Sequence, residues 1–164
     1  MSYYIIIRGP LGIGKSTVAR NLAKILDGEY ISIDDVLAEN SLDQVDENEG
    51  GIPVKNFIKG NELVLPKIKD YLDTGKIVII DGNFYHQEQI EHFAEHLKYS
   101  HHVFTLKAHL EVCILRDKGR KNSYGQDAAT AVHGMVNKFD YGTVVDTENK
   151  DVEQTVKEIV GHLC

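Results

Sequence analysis

The sequence is poor in cysteine, with Cys113 and Cys164 alone in 164 residues. The two have no metal-type spacing, and no structural disulfide is expected between them. No apolar run is long enough to span a membrane. Met1-Ser2-Tyr3-Tyr4 leads straight into a strand-like run rather than a secretory leader. These absences together predict a cytoplasmic protein with no membrane partner. Excess positive charge is missing too. The formal net charge is −7, which argues against nonspecific binding to a nucleic-acid backbone. There is no internal repeat, low-complexity tract or composition break, so 1–164 reads as one domain with a full core. Two absences are local. No arginine occurs between Arg20 and Arg116, and from Asp27 to Glu49 every charged residue is acidic.

Against these absences stands one specific pattern. Gly9-Pro10-Leu11-Gly12-Ile13-Gly14-Lys15-Ser16-Thr17 fits Gly-x-x-x-x-Gly-Lys-Ser/Thr. Glycines let successive backbone N–H groups converge on phosphate oxygens. A helix starting here adds free N–H groups and the positive end of its dipole. Lys15 is placed to reach the β- and γ-phosphates, and the Ser16 hydroxyl to ligate Mg²⁺. The context agrees: Tyr4–Ile7 is a short β-branched run, and Val18, Leu22, Ile25 and Leu26 follow at helical spacing up to Gly28. The nucleotide-binding residues are therefore expected to be Gly9, Leu11, Gly12, Ile13, Gly14, Lys15, Ser16 and Thr17.

Strand-like runs at Tyr4–Ile7, Tyr30–Ile33, Ile77–Ile80, Val103–Leu106 and Thr143–Val145 alternate with helical patterns. One helical stripe, Phe57 to Leu72, contains Pro66, which should kink or split it. Alternation of this kind implies an α/β fold, a parallel sheet covered on both faces. Ligands bind at the carboxyl ends of such strands. Two stretches leave the core pattern, an acidic excursion within 36–59 and a basic stretch at 116–125.

Each strand end carries residues suited to phosphoryl transfer, where catalysis is positioning and charge stabilisation. Asp34 or Asp35, after the second strand, can orient an acceptor hydroxyl and take its proton; Asp34 is the first choice. Asp is also a good helix N-cap, so one of the pair can cap while the other works. Asp81, after the third strand, is a candidate for Mg²⁺ or acceptor contact, and Asn83 for acceptor contact. Arg116 and Arg120 sit where a closing segment would bring guanidinium groups to the transferring phosphate.

In this order, the loop, Ser32-Ile33-Asp34-Asp35, Asp81-Gly82-Asn83, Arg116 to Arg120 and Val144-Val145-Asp146-Thr147 resemble the P-loop small-molecule kinase group. Its members include shikimate and gluconate kinases, polynucleotide kinase, zeta-toxin-like kinases and chloramphenicol phosphotransferase. The resemblance covers nearly the whole chain. It implies a three-layer fold with five parallel strands in order 2-3-1-4-5 and a small lid at 116–125. It also implies ATP and Mg²⁺, with Asp34 as acceptor-activating base, Arg116 near the adenine and Arg120 near the phosphates. The loop at Asp146-Thr147 would border the base. The partner would be a small-molecule hydroxyl acceptor, and the protein a monomer or homodimer.

The local absences bear on that acceptor. Nucleoside-monophosphate kinases hold the acceptor phosphate with arginines in the interval that here has none. With the acidic stretch alongside, the expected acceptor is a neutral or cationic hydroxyl compound; Lys55 and Lys59 are the residues that could still serve an anion. Two other readings stay open: a nucleotide-binding regulator or switch, and a nucleoside monophosphate kinase. Asn137-Lys138-Phe139-Asp140 matches a guanine-reading motif, but it follows a helical pattern and no Asp has Gly three residues later. His92 and His96 have metal-type helical spacing but no evident third ligand.

Overall fold

The computed structural model describes residues 1–163; Cys164 lies outside the described residues. Five parallel strands form one sheet in the order β2-β3-β1-β4-β5. They are β1 (Tyr4–Arg8), β2 (Glu29–Ser32), β3 (Val78–Gly82), β4 (His101–Lys107) and β5 (Thr143–Asp146). The helices are α1 (Lys15–Ile25), α2 (Ile33–Glu39), α3 (Val54–Asp73), α4 (Gln87–His96), α5 (Leu110–Lys118), α6 (Gln126–Val136) and α7 (Val152–Gly161). This is the α/β fold and strand order expected from the sequence.

Successive side chains of a strand point to opposite faces. Tyr4 and Ile6 accordingly pack with α3 and α4 residues such as Phe57, Ile68 and Phe93. Ile5 and Ile7 pack with Val18, Leu22 and Ile159 of α1 and α7. Two cores result, one on each face, and the continuous apolar strands are the consequence.

Three details differ from expectation. Ile33 opens α2 instead of ending β2. The α2 N-cap is Ser32, whose hydroxyl accepts from the Asp35 N–H at 3.2 Å, so neither aspartate caps. A β-region residue with a short hydroxyl is a good cap, and Asp34 and Asp35 then fall in the first turn, where the dipole favours negative charge. Pro66 does not split α3, which runs 20 residues through it.

The register sets the strand ends level. Ile7 pairs with Asp81, Arg8 with Gly82 and Thr105, and Ser32 with Asp81. Arg8, the last residue of β1, is fully buried. Its Nε donates to the Phe84 carbonyl at 3.2 Å, and Nη1 donates to Thr105 Oγ1 at 3.0 Å and the Phe139 carbonyl at 3.1 Å. Nη2 donates to the Val136 carbonyl at 2.8 Å, and the guanidinium lies 4.3 Å from the Phe139 ring centroid. One side chain thus ties together β4, the turn after β3 and the end of α6. Burial pulls the Arg8 pKa down to about 10, partly offset by Asp140, which leaves it charged at neutral pH. Lysine cannot reproduce that fork. Arg8→Lys should therefore lower the unfolding free energy by about 3 kcal/mol, measured by chemical denaturation.

Candidate active site

The loop between β1 and α1 is shaped by its glycines. Gly12 has φ +80°, and a Cβ there would meet the Cys113 carbonyl oxygen at 2.2 Å. Gly14, the α1 N-cap, has φ +93°. These are conformations and approaches only glycine takes without strain. Nothing caps the α1 N-terminus with a side chain, and no acidic residue occupies its first turn. Its N–H groups and dipole are left to an anion. Gly12, Gly14, Lys15, Ser16 and Thr17 line a cavity of 250 Å³ together with Arg20, Arg116 and Arg120. Of the other loop residues, Gly9 is packed tightly against Ile13 and Leu106. Ile13 is buried, and Leu11 is buried and faces a second cavity.

Arg116 lies in the last turn of α5. It donates to the Ile13 carbonyl at 3.4 Å, and to Thr147 at Oγ1 (3.2 Å) and the carbonyl (2.9 Å). It therefore bridges the glycine loop to the segment after β5. Within the stretch 116–125, residues up to Lys118 continue α5. The turn that remains is stitched by Asp117, which is 2% exposed. Its carboxylate accepts from Ser123 Oγ at 2.6 Å and from the Tyr124 and Gly125 N–H groups at 3.1 and 3.3 Å. Arg120 projects from this turn, 5.7 Å from the Tyr124 ring centroid.

Asp81 is buried at the end of β3. The Tyr30 hydroxyl donates to it, and Ser16 Oγ donates to its Oδ1 at 3.5 Å. Burial raises its pKa, opposed by the Lys15 charge and by the Tyr30 and Ser16 hydrogen bonds, with Asp35 adding to the rise. Burial also lifts the Tyr30 pKa to about 12, so that hydroxyl keeps its proton and remains a donor. Paired oxygen donors and a desolvated carboxylate suit a hard cation such as Mg²⁺. Ser16 and Asp81 therefore fit the metal-holding role.

The second cavity, 470 Å³, opens between α2, the 40–53 segment and α6. Asp34, Asp35 and Asn83 line it together with Tyr85, Tyr124 and Met135. Lys15 Nζ lies 3.9 Å from Asp34 Oδ2, so the two cavities meet at this pair. The Asn83 N–H donates to Asp34 Oδ1 at 3.4 Å. Burial raises the Asp34 pKa, Lys15 opposes it, and Asp81 and Asp35 add to the rise. Asn83 is carried by a turn in which Phe84 takes φ +46°, a conformation that costs a non-glycine residue on the order of 1 kcal/mol or more. The Arg8 bond to the Phe84 carbonyl helps hold it.

Other candidates fall away from both cavities. Lys55 and Lys59 are exposed and are not among the residues lining the second cavity. His133 points to the Ala108 carbonyl at 2.9 Å. The His92 and His96 rings stack at 4.2 Å, with His92 Nδ1 against the Asn61 amide and His96 Nδ1 against the His92 carbonyl. Asn137 caps α6 rather than following a strand. Among the described residues, no helix is long and apolar enough to cross a membrane.

The sequence model of the AAA domain family AAA_33 matches residues 5–139. The chain belongs to that family. It is also similar to a Pyrococcus furiosus protein named "Putative adenylate kinase", with 28% identity over 95% of this chain and 81% of that protein. Among solved structures, a sugar kinase from Janibacter sp. HTCC2649 superposes with a TM-score of 0.77 at 15% identity, covering 99% of this chain and 95% of that one. A gluconokinase from Sinorhizobium meliloti 1021 gives 0.69 at 15% identity, with 98% and 90% covered. Family and fold together make this a P-loop domain with the α/β architecture of the P-loop kinases.

A carboxylate whose pKa is raised in the folded state binds its proton more readily there than in the unfolded chain. Such a group lowers stability as pH rises from its unfolded value toward its raised one. Asp81→Asn should therefore stabilise the nucleotide-free protein at neutral pH by about 1 kcal/mol, a Tm rise of roughly 2–4 °C. Any Mg²⁺-dependent ATP turnover should be lost in the same variant. Thermal unfolding and a turnover assay check the two halves.

Proposed function

We propose that this protein is an ATP-dependent kinase that transfers the γ-phosphate to a hydroxyl of a small, non-phosphorylated molecule. The observation that carries the reading is the Lys15–Asp34 contact, which joins a basic, glycine-walled cavity to an acidic one. Lys15, Arg120 and the free N–H groups of α1 face the phosphates and neutralise charge as it develops. Arg116, anchored on Thr147, borders the nucleoside side. Ser16 and Asp81 would hold Mg²⁺, which would supply further positive charge to the phosphate oxygens when bound. Asp34 orients the acceptor hydroxyl and takes its proton. The oxygen then bonds to the γ-phosphorus, the bond to the β–γ bridging oxygen breaks, and ADP departs.

The name of the Pyrococcus relative favours a second reading, a nucleotide kinase. The lining of the second cavity weighs against it. No lysine, arginine or histidine lines that cavity, and Arg8 is committed to four bonds inside the fold. A phosphate there would have no bidentate partner.

Asp34→Asn should lower kcat by about 10²–10⁴-fold while ATP affinity stays nearly unchanged. Because the Asp34 pKa is raised above 3.8 and the carboxylate is the working form, kcat should fall with pH at a higher pH than a free aspartate would give. Transfer at near wild-type rate in Asp34→Asn would remove Asp34 as the base.

A further inference from the structure

We infer that the acceptor is an amino alcohol, a compound that carries a protonated amine beside the reacting hydroxyl and an apolar or aromatic face. The inference rests on the kinase reading of the same site and narrows its substrate class.

Three independent features of the cavity converge on that chemistry. The first is charge. The ionisable groups lining it are Asp34, Asp35 and Asp43, with the two tyrosines, and no cationic side chain is among the lining residues. Lys15, 3.9 Å from Asp34, and Arg120, 5.7 Å from the Tyr124 ring centroid, line the phosphate cavity instead. The second is an orphaned acceptor. Asn83 is 8% exposed, and its Oδ1 finds no hydrogen-bond partner among the described residues. A buried acceptor without a donor costs about 1–3 kcal/mol, a cost removed when a ligand N–H or O–H fills the cavity that Asn83 lines. The three carboxylates and the Asn83 Oδ1 are thus acceptors that a ligand donor would satisfy. The third is the apolar part of the lining, Leu37, Val45, Val132 and Met135 with Tyr85 and Tyr124. The Tyr85 hydroxyl already accepts from the Ile52 N–H at 2.7 Å, which fixes its ring as part of that apolar surface. A cation with an aromatic or aliphatic body matches both parts of the lining.

The chemistry is consistent with hydroxyl rather than amine transfer. An ammonium held by Asp35 and Asp43 has no free lone pair and is not a nucleophile. The hydroxyl proton passes to Asp34, the new O–P bond forms as the β–γ bridge breaks, and the product is a zwitterionic phosphate monoester. Its new phosphate faces acidic walls, which favours release.

A matched triple tests the inference: 2-amino-1-phenylethanol, 1-phenyl-1,2-ethanediol and mandelate, which differ in carrying an ammonium, a hydroxyl or a carboxylate. Calorimetry with the full-length protein, Mg²⁺ and a non-hydrolysable ATP analogue should show the amine binding at least about tenfold more tightly than the diol, and mandelate not binding. Asn83→Ala should weaken amine binding about tenfold. Asp43→Asn, at the exposed rim, should narrow the amine–diol gap roughly threefold. Equal binding of amine and diol, preference for mandelate, or binding by none of the three overturns the inference. ³¹P NMR with MgATP separates this from the kinase reading. Phosphorylation of the diol or mandelate in preference to the amine overturns the amine assignment and leaves the kinase standing. Selective amine binding without any phosphate ester supports the cavity chemistry and removes the kinase.

Discussion

The fork of Arg8 is the contact on which the rest of the site depends. It closes the carboxyl end of β1 one residue before the glycine loop begins. Its donors reach the Phe84 carbonyl, the β4 residue Thr105, and the carbonyls of Val136 and Phe139 at the end of α6. Through Phe84 it steadies the strained turn that presents Asn83. Through α6 it steadies the helix carrying Val132 and Met135, which line the second cavity. Thr105 extends the network by donating to the Tyr141 carbonyl at 2.7 Å. A buried cation costs desolvation energy, and here carbonyl dipoles and an aromatic face offset that cost rather than a carboxylate in direct contact.

On this frame the protein sets two cavities of opposite sign side by side. The donor side is positive: an uncapped helix N-terminus, Lys15 and three arginines. The acceptor side is negative: Asp34, Asp35 and Asp43. Lys15 and Asp34 stand at the seam. Separating the signs serves transfer in two ways. Under the proposed kinase reading, a triphosphate would be drawn to one side only, and an acceptor hydroxyl would meet a carboxylate rather than a competing cation. Burial disfavours the charge of Asp81, which accepts from Ser16, as it does that of Asp34.

Much of the fold was legible because the signals are local. Short apolar runs marked all five strands to within two residues or so, and glycine-lysine-serine fixed the start of α1. Errors came where two local preferences compete. Ser32 and Asp34 are both good caps, and only the chain path decides that Ser32 takes the role. Pro66 should interrupt a helix, yet packing of Val64, Leu65 and Ile68 carries α3 past it. The acidic side of the acceptor cavity was visible in composition, since Asp34, Asp35 and Asp43 share one stretch. Its apolar wall was not, because Tyr85, Tyr124 and Met135 come from three distant segments. Arg8 and Asp117 read as ordinary charges; the one available signal for Arg8 was its place at the end of a wholly apolar strand. Asp117 sits among basic residues, and nothing nearby in sequence announces that it holds the following turn.

Adenylate-kinase-like transfer and transfer to a hydroxyl compound differ in what receives the phosphate, and that difference can be read directly. Initial rates with MgATP should be followed by ³¹P NMR, with AMP and with a panel of non-phosphorylated hydroxyl compounds as competing acceptors. The separation of charge between the two cavities predicts phosphate monoester from at least one hydroxyl compound, with a kcat/KM well above that for AMP. Conversion of AMP to ADP at a higher kcat/KM than any ester formation would contradict it.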